Sequence, residues 1–172
     1  DLTHEELKEH LGQIRTTAYE MNKIINNLLL FAEVSKAEAP LELVNMSWIM
    51  KNVSDRLSYM IKEHQAQIAL PKFWPDAIGY APWIEEVWVN YLSNAMKYGG
   101  KPPRIEVGAT LRDDNTAYFW VRDNGVGIDP TQQALLFTPF TCLNSITVDG
   151  HGLGLSIMKR IVQRLGGVVV VQ

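Results

Sequence analysis

The chain has 172 residues, of which 47% are hydrophobic and 20% charged, enough apolar material for a packed core and too much for a disordered segment. With 16 Lys and Arg against 19 Asp and Glu, the formal net charge is -3, which argues against nucleic acid as a partner but leaves room for a nucleotide held by local positive groups. Cys142 is the one cysteine, so an internal disulfide and a thiolate-rich metal site are excluded, and no apolar run nears the ~20 residues that span a bilayer.

The first 35 residues carry the clearest periodicity. Leu7, Leu11, Ile14, Ala18, Met21, Ile25, Leu28 and Ala32 are spaced by four and three in alternation, the seam of a helix that packs lengthwise on another helix. Such a helix is about 45–50 Å long and needs a partner, whether as a plain coiled-coil linker or as part of a larger device. The stretch Lys36-Ala-Glu-Ala-Pro-Leu41 breaks the pattern and marks a boundary between residues 1–38 and a second unit over 41–172.

In that second unit, Asn45 or Ser47 can cap a helix whose stripe is Ile49, Val53, Leu57, Met60 and Ile61. Residues 67–70 read as a short strand and 71–75 as a turn. Pro82 suits the first turn of a helix running to Lys97, with Ile84, Val87, Trp88, Tyr91, Leu92 and Ala95 on its apolar side and Gly99-Gly100 ending it. Residues 104–111 and 116–123 alternate around an Asp113-Asp114-Asn115 turn, as a β-hairpin does. A short helix is expected after Pro130, a helix over 153–165 closed by Gly166-Gly167, and a buried last strand over 168–171.

Three motifs carry chemistry. Asn90, Asn94 and Lys97 share one polar stripe on an otherwise apolar helix. An Asn amide oxygen suits magnesium, which takes few protein ligands plus phosphate and water, and Lys97 could meet a phosphate; a plain solvated face is the alternative. In Asp123-Asn-Gly-Val-Gly127, Phe119, Val121 and Asp123 share a strand face. If that face is the core, Asp123 points into it and needs a donor, such as the exocyclic amine of adenine, while Gly125 and Gly127 admit a base close to the backbone. An Asx turn capping the strand is the alternative. Gly150-His-Gly-Leu-Gly154 directly precedes a helix, where amides and helix dipole can surround a phosphate; a hinge is the alternative. It fits neither the P-loop nor the dinucleotide pattern.

Taken in order, these motifs resemble those of the sensor histidine kinase catalytic domain, within the wider gyrase, heat-shock chaperone and mismatch-repair ATPase superfamily. Asn90-Tyr-Leu-Ser-Asn-Ala-Met-Lys-Tyr98 resembles the asparagine box, Asp123 to Gly127 the first glycine box, Phe137-Thr-Pro-Phe140 the phenylalanine box, and Gly150 to Gly154 the second glycine box. The resemblance implies an α+β fold, a two-layer α/β sandwich with a mixed sheet, preceded by one long coiled-coil-type helix of the dimerisation and phosphotransfer hairpin. It implies ATP and magnesium as cofactors, with Asn90, Asn94 and Lys97 in the catalytic set and Asn94 as the metal ligand. Tyr98, Asp123, Gly125, Gly127, Phe137, Phe140, Gly150, Gly152, Leu153 and Gly154 would bind the nucleotide, with 141–149 as a lid. The implied activity is that of a protein-histidine kinase of a two-component system, cytoplasmic, homodimeric through the first helix and passing phosphate to a response regulator receiver domain. This fragment would not touch a membrane, although its parent could be anchored in one.

Two departures shape the mechanism. Related ATPases carry a water-activating Glu where Asn90 stands, so this chain should hydrolyse ATP poorly and phosphorylate a protein instead. The family's acceptor histidine is followed by an acidic residue and, a few positions on, a proline. His4 precedes Glu5 without that proline, His10 precedes Leu11, and His64 and His151 lie in the catalytic unit, so the acceptor is expected on a hairpin helix absent from these residues. The family's last strand is expected beyond Gln172, outside these residues. A hydrolase or a non-catalytic scaffold of the same fold is the alternative reading.

Overall fold

The computed structural model describes residues 3–36, 38–112, 114, 116–139 and 152–171. The first element is the long helix α1 (His4–Lys36). Its start is fixed by a capping box: Glu6 N–H donates to Thr3 Oγ1 while Thr3 N–H and hydroxyl donate to Glu6 Oε2 at 2.7 and 2.8 Å. Those donors hold the Glu6 carboxyl below its usual range. Seam residues Leu7, Leu11, Ile14, Met21, Ile25 and Leu28 lie exposed along one side. Among the described residues no helix is long and apolar enough to cross a membrane.

The helix over 46–63 divides into α2 (Met46–Arg56) and α3 (Ser58–Glu63), with the break at Leu57. Asn45, rather than Ser47, caps α2 by accepting from Trp48 N–H at 2.9 Å. The apolar stripe runs unbroken across the kink, with Ile49, Val53 and Leu57 buried and Met60 and Ile61 packed against them. Two strands were not legible beforehand: β1 (Glu42–Val44) and β3 (Ala77–Gly79) form an antiparallel ribbon. Between them, β2 (Gln67–Ala69) lies parallel to β4 (Arg104–Leu111), and β4 pairs antiparallel with β5 (Ala117–Asp123), so the three-stranded sheet is mixed as expected.

Helix α4 (Ala81–Tyr98), with proline in its first turn, is the hub. Trp88, Leu92, Ala95 and Met96 face the sheet and α2, where Phe119 and Val121 of β5 pack against them. Trp74, from the proline-rich turn, completes an aromatic cluster, stacked on Phe119 at 6.3 Å and edge-on to Trp88 at 5.9 Å. The other side of α4 buries Trp83 and Val87 against α6 (Gly154–Arg164), whose Ile157, Met158 and Ile161 share a second core with Val34 of α1. The end of α1 is held there by Trp83 Nε1 donating to Glu33 Oε1 at 3.1 Å and by Arg160 lying 4.7 Å from the Phe31 ring centroid. Helix α5 (Pro130–Gln133) is capped by Asp129, which accepts from Thr131 N–H at 2.8 Å. These helices over a mixed sheet are the α+β sandwich that the resemblance implies.

One expectation fails. Residues 168–171 form no strand, and Val168 and Val170 stand 84% and 57% exposed. A run of valines makes a strand only where a neighbour offers a ladder, and none of the described strands pairs with this segment.

Among the described residues the Tyr91 hydroxyl is buried without a hydrogen-bond partner, beside the second core. Burial pushes it from 10.0 up to about 12. Because the unfolded chain then ionises first, stability should fall as pH climbs from 10 towards 12. Tyr91→Phe removes the stranded hydroxyl and should raise stability by about 1 kcal/mol, read as a higher urea midpoint, and flatten that slope. A lower midpoint would mean that the hydroxyl has a partner in solution.

Candidate functional site

The site arises because α6 covers only half of α4. Leu165, just past the end of α6, reaches Gly79 near the start of α4, while Gly154 at the beginning of α6 abuts Asn90. The two helices therefore run antiparallel. Beyond Asn90 the same side of α4 that buries Trp83 and Val87 opens out, and there the stripe Asn90, Asn94 and Lys97 lies half-buried. A polar stripe on a core helix is tolerated because the covering helix begins at its first member, Asn90, and leaves Asn94 and Lys97 beyond its end.

The contacts in this opening are close. Asn94 Nδ2 donates to Asn90 Oδ1 at 3.1 Å, which aims the Asn94 amide and leaves its carbonyl oxygen unbonded among the described residues. A Cβ at Gly154 would lie 2.5 Å from Asn90 Nδ2, so any side chain there would push the Asn90 amide aside. Gly152 has a positive φ of 64°, a conformation that favours glycine, and Leu153 anchors the motif by burying its side chain in the second core. The N-terminus of α6, with its unpaired amides, thus opens beside the two asparagines. Phe140, Gly150, the 141–149 segment, Cys142 and His151 lie outside the described residues. Phe137 is described, and Lys159 of α6 sits 5.4 Å from its ring centroid.

At the far end of α4, Tyr98 is 48% exposed. Gly125 packs against the backbone there, since a Cβ on it would meet Tyr98 O at 2.5 Å. Asp123 stands on the strand face that Phe119 and Val121 turn to the core, opposite buried Ile105, but at the last pair of the β4–β5 ladder it is exposed. Its Oδ1 accepts from Gly125 N–H at 2.7 Å, the Asx turn that the sequence left open, and its Oδ2 has no partner among the described residues. An Asx turn and a waiting second oxygen are compatible, so the carboxylate can still meet a donor. Gly127, with φ 75°, lies at the solvent edge of the same turn.

Three features were not foreseen. Asn124 ties the turn to the segment after α4 by hydrogen bonds to Gly100, Pro102 and Arg104; a lone Asn in a turn gives no signal of that in one dimension. A cavity of about 610 Å³ lies beside Lys97, with His64 and Gln65 across from Gly99 and Gly100. Glu85 and Glu86 are bound to α2: Glu85 accepts from Asn52 at 2.9 Å, and Glu86 pairs with Arg56 at 2.9 Å. Neither is disposed to serve as a base at Asn90. Among the described residues no three His, Cys, Asp or Glu side chains gather to hold a metal ion, so a cation here would rely on amide oxygen and on its ligand.

A family model described as histidine kinase-, DNA gyrase B-, and HSP90-like ATPase matches residues 79–172. The methanogenesis regulatory histidine kinase FilI of Methanothrix harundinacea is 29% identical over 168 residues, 96% of this chain and 19% of that protein. The sensor histidine kinase YcbM of Bacillus subtilis is 31% identical over 182 aligned positions, 100% of this chain and 57% of that protein. The chain thus spans about a fifth of one relative and somewhat over half of the other. A crystal structure of full-length ShkA in complex with AMPPNP superposes with a TM-score of 0.75 at 25% identity, over 96% of this chain and 35% of that one.

Proposed function

Because the chain belongs to the histidine kinase-, DNA gyrase B- and HSP90-like ATPase family and carries the ATP-binding catalytic domain of a sensor histidine kinase, we propose that it transfers the ATP γ-phosphoryl to a histidine on a hairpin helix outside these residues, and thence to a response regulator aspartate. In this reading residues 1–38 are part of the dimerisation and phosphotransfer hairpin and 41–172 the catalytic unit. The seam of α1 pairs with a second copy. The observation that most supports it is the convergence of Asn90, Asn94 and the Gly152–Gly154 turn, remote in sequence, on one opening beside a helix N-terminus.

The donor set fits the nucleotide and its metal. Asn94 Oδ1 would hold magnesium, which supplies charge neutralisation across the phosphates when bound. The amides around Gly152, Leu153 and Gly154 would receive the phosphate oxygens, and Lys97 would add a positive charge on the same side of α4. Tyr98 would pack on the base, and Asp123 Oδ2 would accept from its amine. Asn90 cannot take a proton from water, and Glu85 and Glu86 are occupied elsewhere. Water is therefore poorly activated, and the phosphoryl group goes to a protein nucleophile.

The base contact gives a direct test. Guanine presents a carbonyl where adenine presents an amine, and setting it against Asp123 Oδ2 costs about 1–3 kcal/mol, or roughly five- to more than a hundredfold. Titration with magnesium present should show ATP and ADP binding and GTP far weaker. Equal affinities for ATP and GTP would remove Asp123 from the site.

A further inference from the structure

We propose that Asn124 is a positioning residue for the adenine end of the nucleotide, locking together the two backbone segments between which the base would lie. The inference rests on the site reading above. One segment follows α4 and begins with Tyr98; the other is the turn from Asp123 to Gly125. Asn124 Oδ1 accepts from Gly100 N–H at 3.0 Å and from Arg104 N–H at 2.8 Å, while Nδ2 donates to Pro102 O at 3.3 Å. One side chain thus engages three backbone groups more than 19 positions away in sequence, using both acceptor and donor of its amide.

The glycines around it are those such a clasp requires. A Cβ at Gly100 would lie 2.5 Å from Asn124 Nδ2, and one at Gly125 would lie 2.5 Å from Tyr98 O. The segments approach closely enough for the Asn to bridge them only because neither carries a side chain. The clasp fixes Tyr98 relative to Asp123, so the base finds both its packing surface and its hydrogen-bond acceptor already ordered. Ordering a loop at the moment of binding weakens affinity, and the clasp removes that cost in advance. The phosphate end lies farther back along α4: Asn90 and Asn94 are about 12 and 6 Å before Tyr98 along the axis, and among the described residues no hydrogen bond joins Asn124 to Asn90, Asn94 or Gly154.

This separation sets the test. Binding of ATP and of inorganic tripolyphosphate, each with magnesium, is measured on the whole chain by titration calorimetry. Asn124→Ala should weaken ATP about tenfold and shrink the ATP-over-GTP preference, while tripolyphosphate affinity stays within about twofold. Asn124→Asp keeps both acceptor bonds and should recover most of the ATP affinity. If Asn124→Ala does not fold, Asn124→Ser is compared with Asn124→Asp in the same way. Equal weakening of ATP and tripolyphosphate, unchanged ATP affinity, or failure of Asn124→Asp to recover it would overturn the proposal. A wild-type chain that binds ATP no better than tripolyphosphate would remove the adenine site, and this inference with it. A wild type that prefers ATP, with Asn124→Ala indifferent, would remove the inference alone.

Discussion

Asn94→Ala should lower magnesium-dependent ATP affinity by roughly a hundredfold or more while leaving the fold in place, since even outer-shell partners of a metal ligand are worth about 10–100-fold. The residue is half-buried on the open side of α4 and takes no part in either core. Its loss removes one hydrogen bond to Asn90, about 1 kcal/mol, and alanine returns part of that as helix propensity. The melting temperature should therefore barely move, and the effect should appear in the magnesium dependence. In the wild type, chelating magnesium should weaken ATP binding; in the variant, ATP should bind equally poorly with and without it. A variant that kept the wild-type response to magnesium would place the metal elsewhere.

The second large effect is an absence of labelling. Incubated with γ-labelled ATP, this chain should bind nucleotide yet acquire no acid-labile, base-stable phosphate, because none of His4, His10, His64 and His151 stands in the acceptor pattern. Geometry points the same way for two of them. His10 lies 24 residues before Val34, about 36 Å along α1 from where that helix meets the catalytic unit, and His4 lies farther still. Supplying the upstream hairpin helix, in the same chain or as a separate copy, should restore labelling. A label on the present chain that His64→Gln abolishes would put the acceptor in the cavity beside Lys97 and overturn the division of labour proposed above. Label lost with His4→Gln or His10→Gln would mean that α1 is the other helix of the hairpin.

The parts that were legible in the sequence are those where a local pattern is long. Eight seam positions announce α1, the apolar stripe and flanking Pro82 and Gly99 announce α4, and alternation over two strands announces the β4–β5 hairpin. Strands β1 and β3 escaped because three residues carry too little period, and their facing pair Leu43 and Ile78 is exposed, so hydrophobicity there misleads. The valines at 168–171 erred in the opposite direction, having a strand's composition without a partner. The Thr3–Glu6 capping box is a local pattern too, carried by two residues three positions apart. At the site, motif spacing brought out Asn90, Asn94, Asp123 and the glycines. The clasp of Asn124, the engagement of Glu86 by Arg56 and the exposure of Asp123 depend on what lies across the fold, which no single segment records.

The attachment of α1 has a mechanical consequence. Among the described residues, the contacts that join the helix to the second core come from Leu30, Phe31, Glu33 and Val34, near its end, and the long stretch before them carries the exposed seam. From Val34 back to His4 is about 45 Å, whereas the gripped stretch measures about 6 Å. A sideways load at the tip therefore acts on the grip with a leverage of about seven, and a tilt of about 10° at the grip swings the tip by about 8 Å. Run in reverse, the same lever magnifies any small rotation of α6, whose first residue touches Asn90, into a displacement at the far end of the rod.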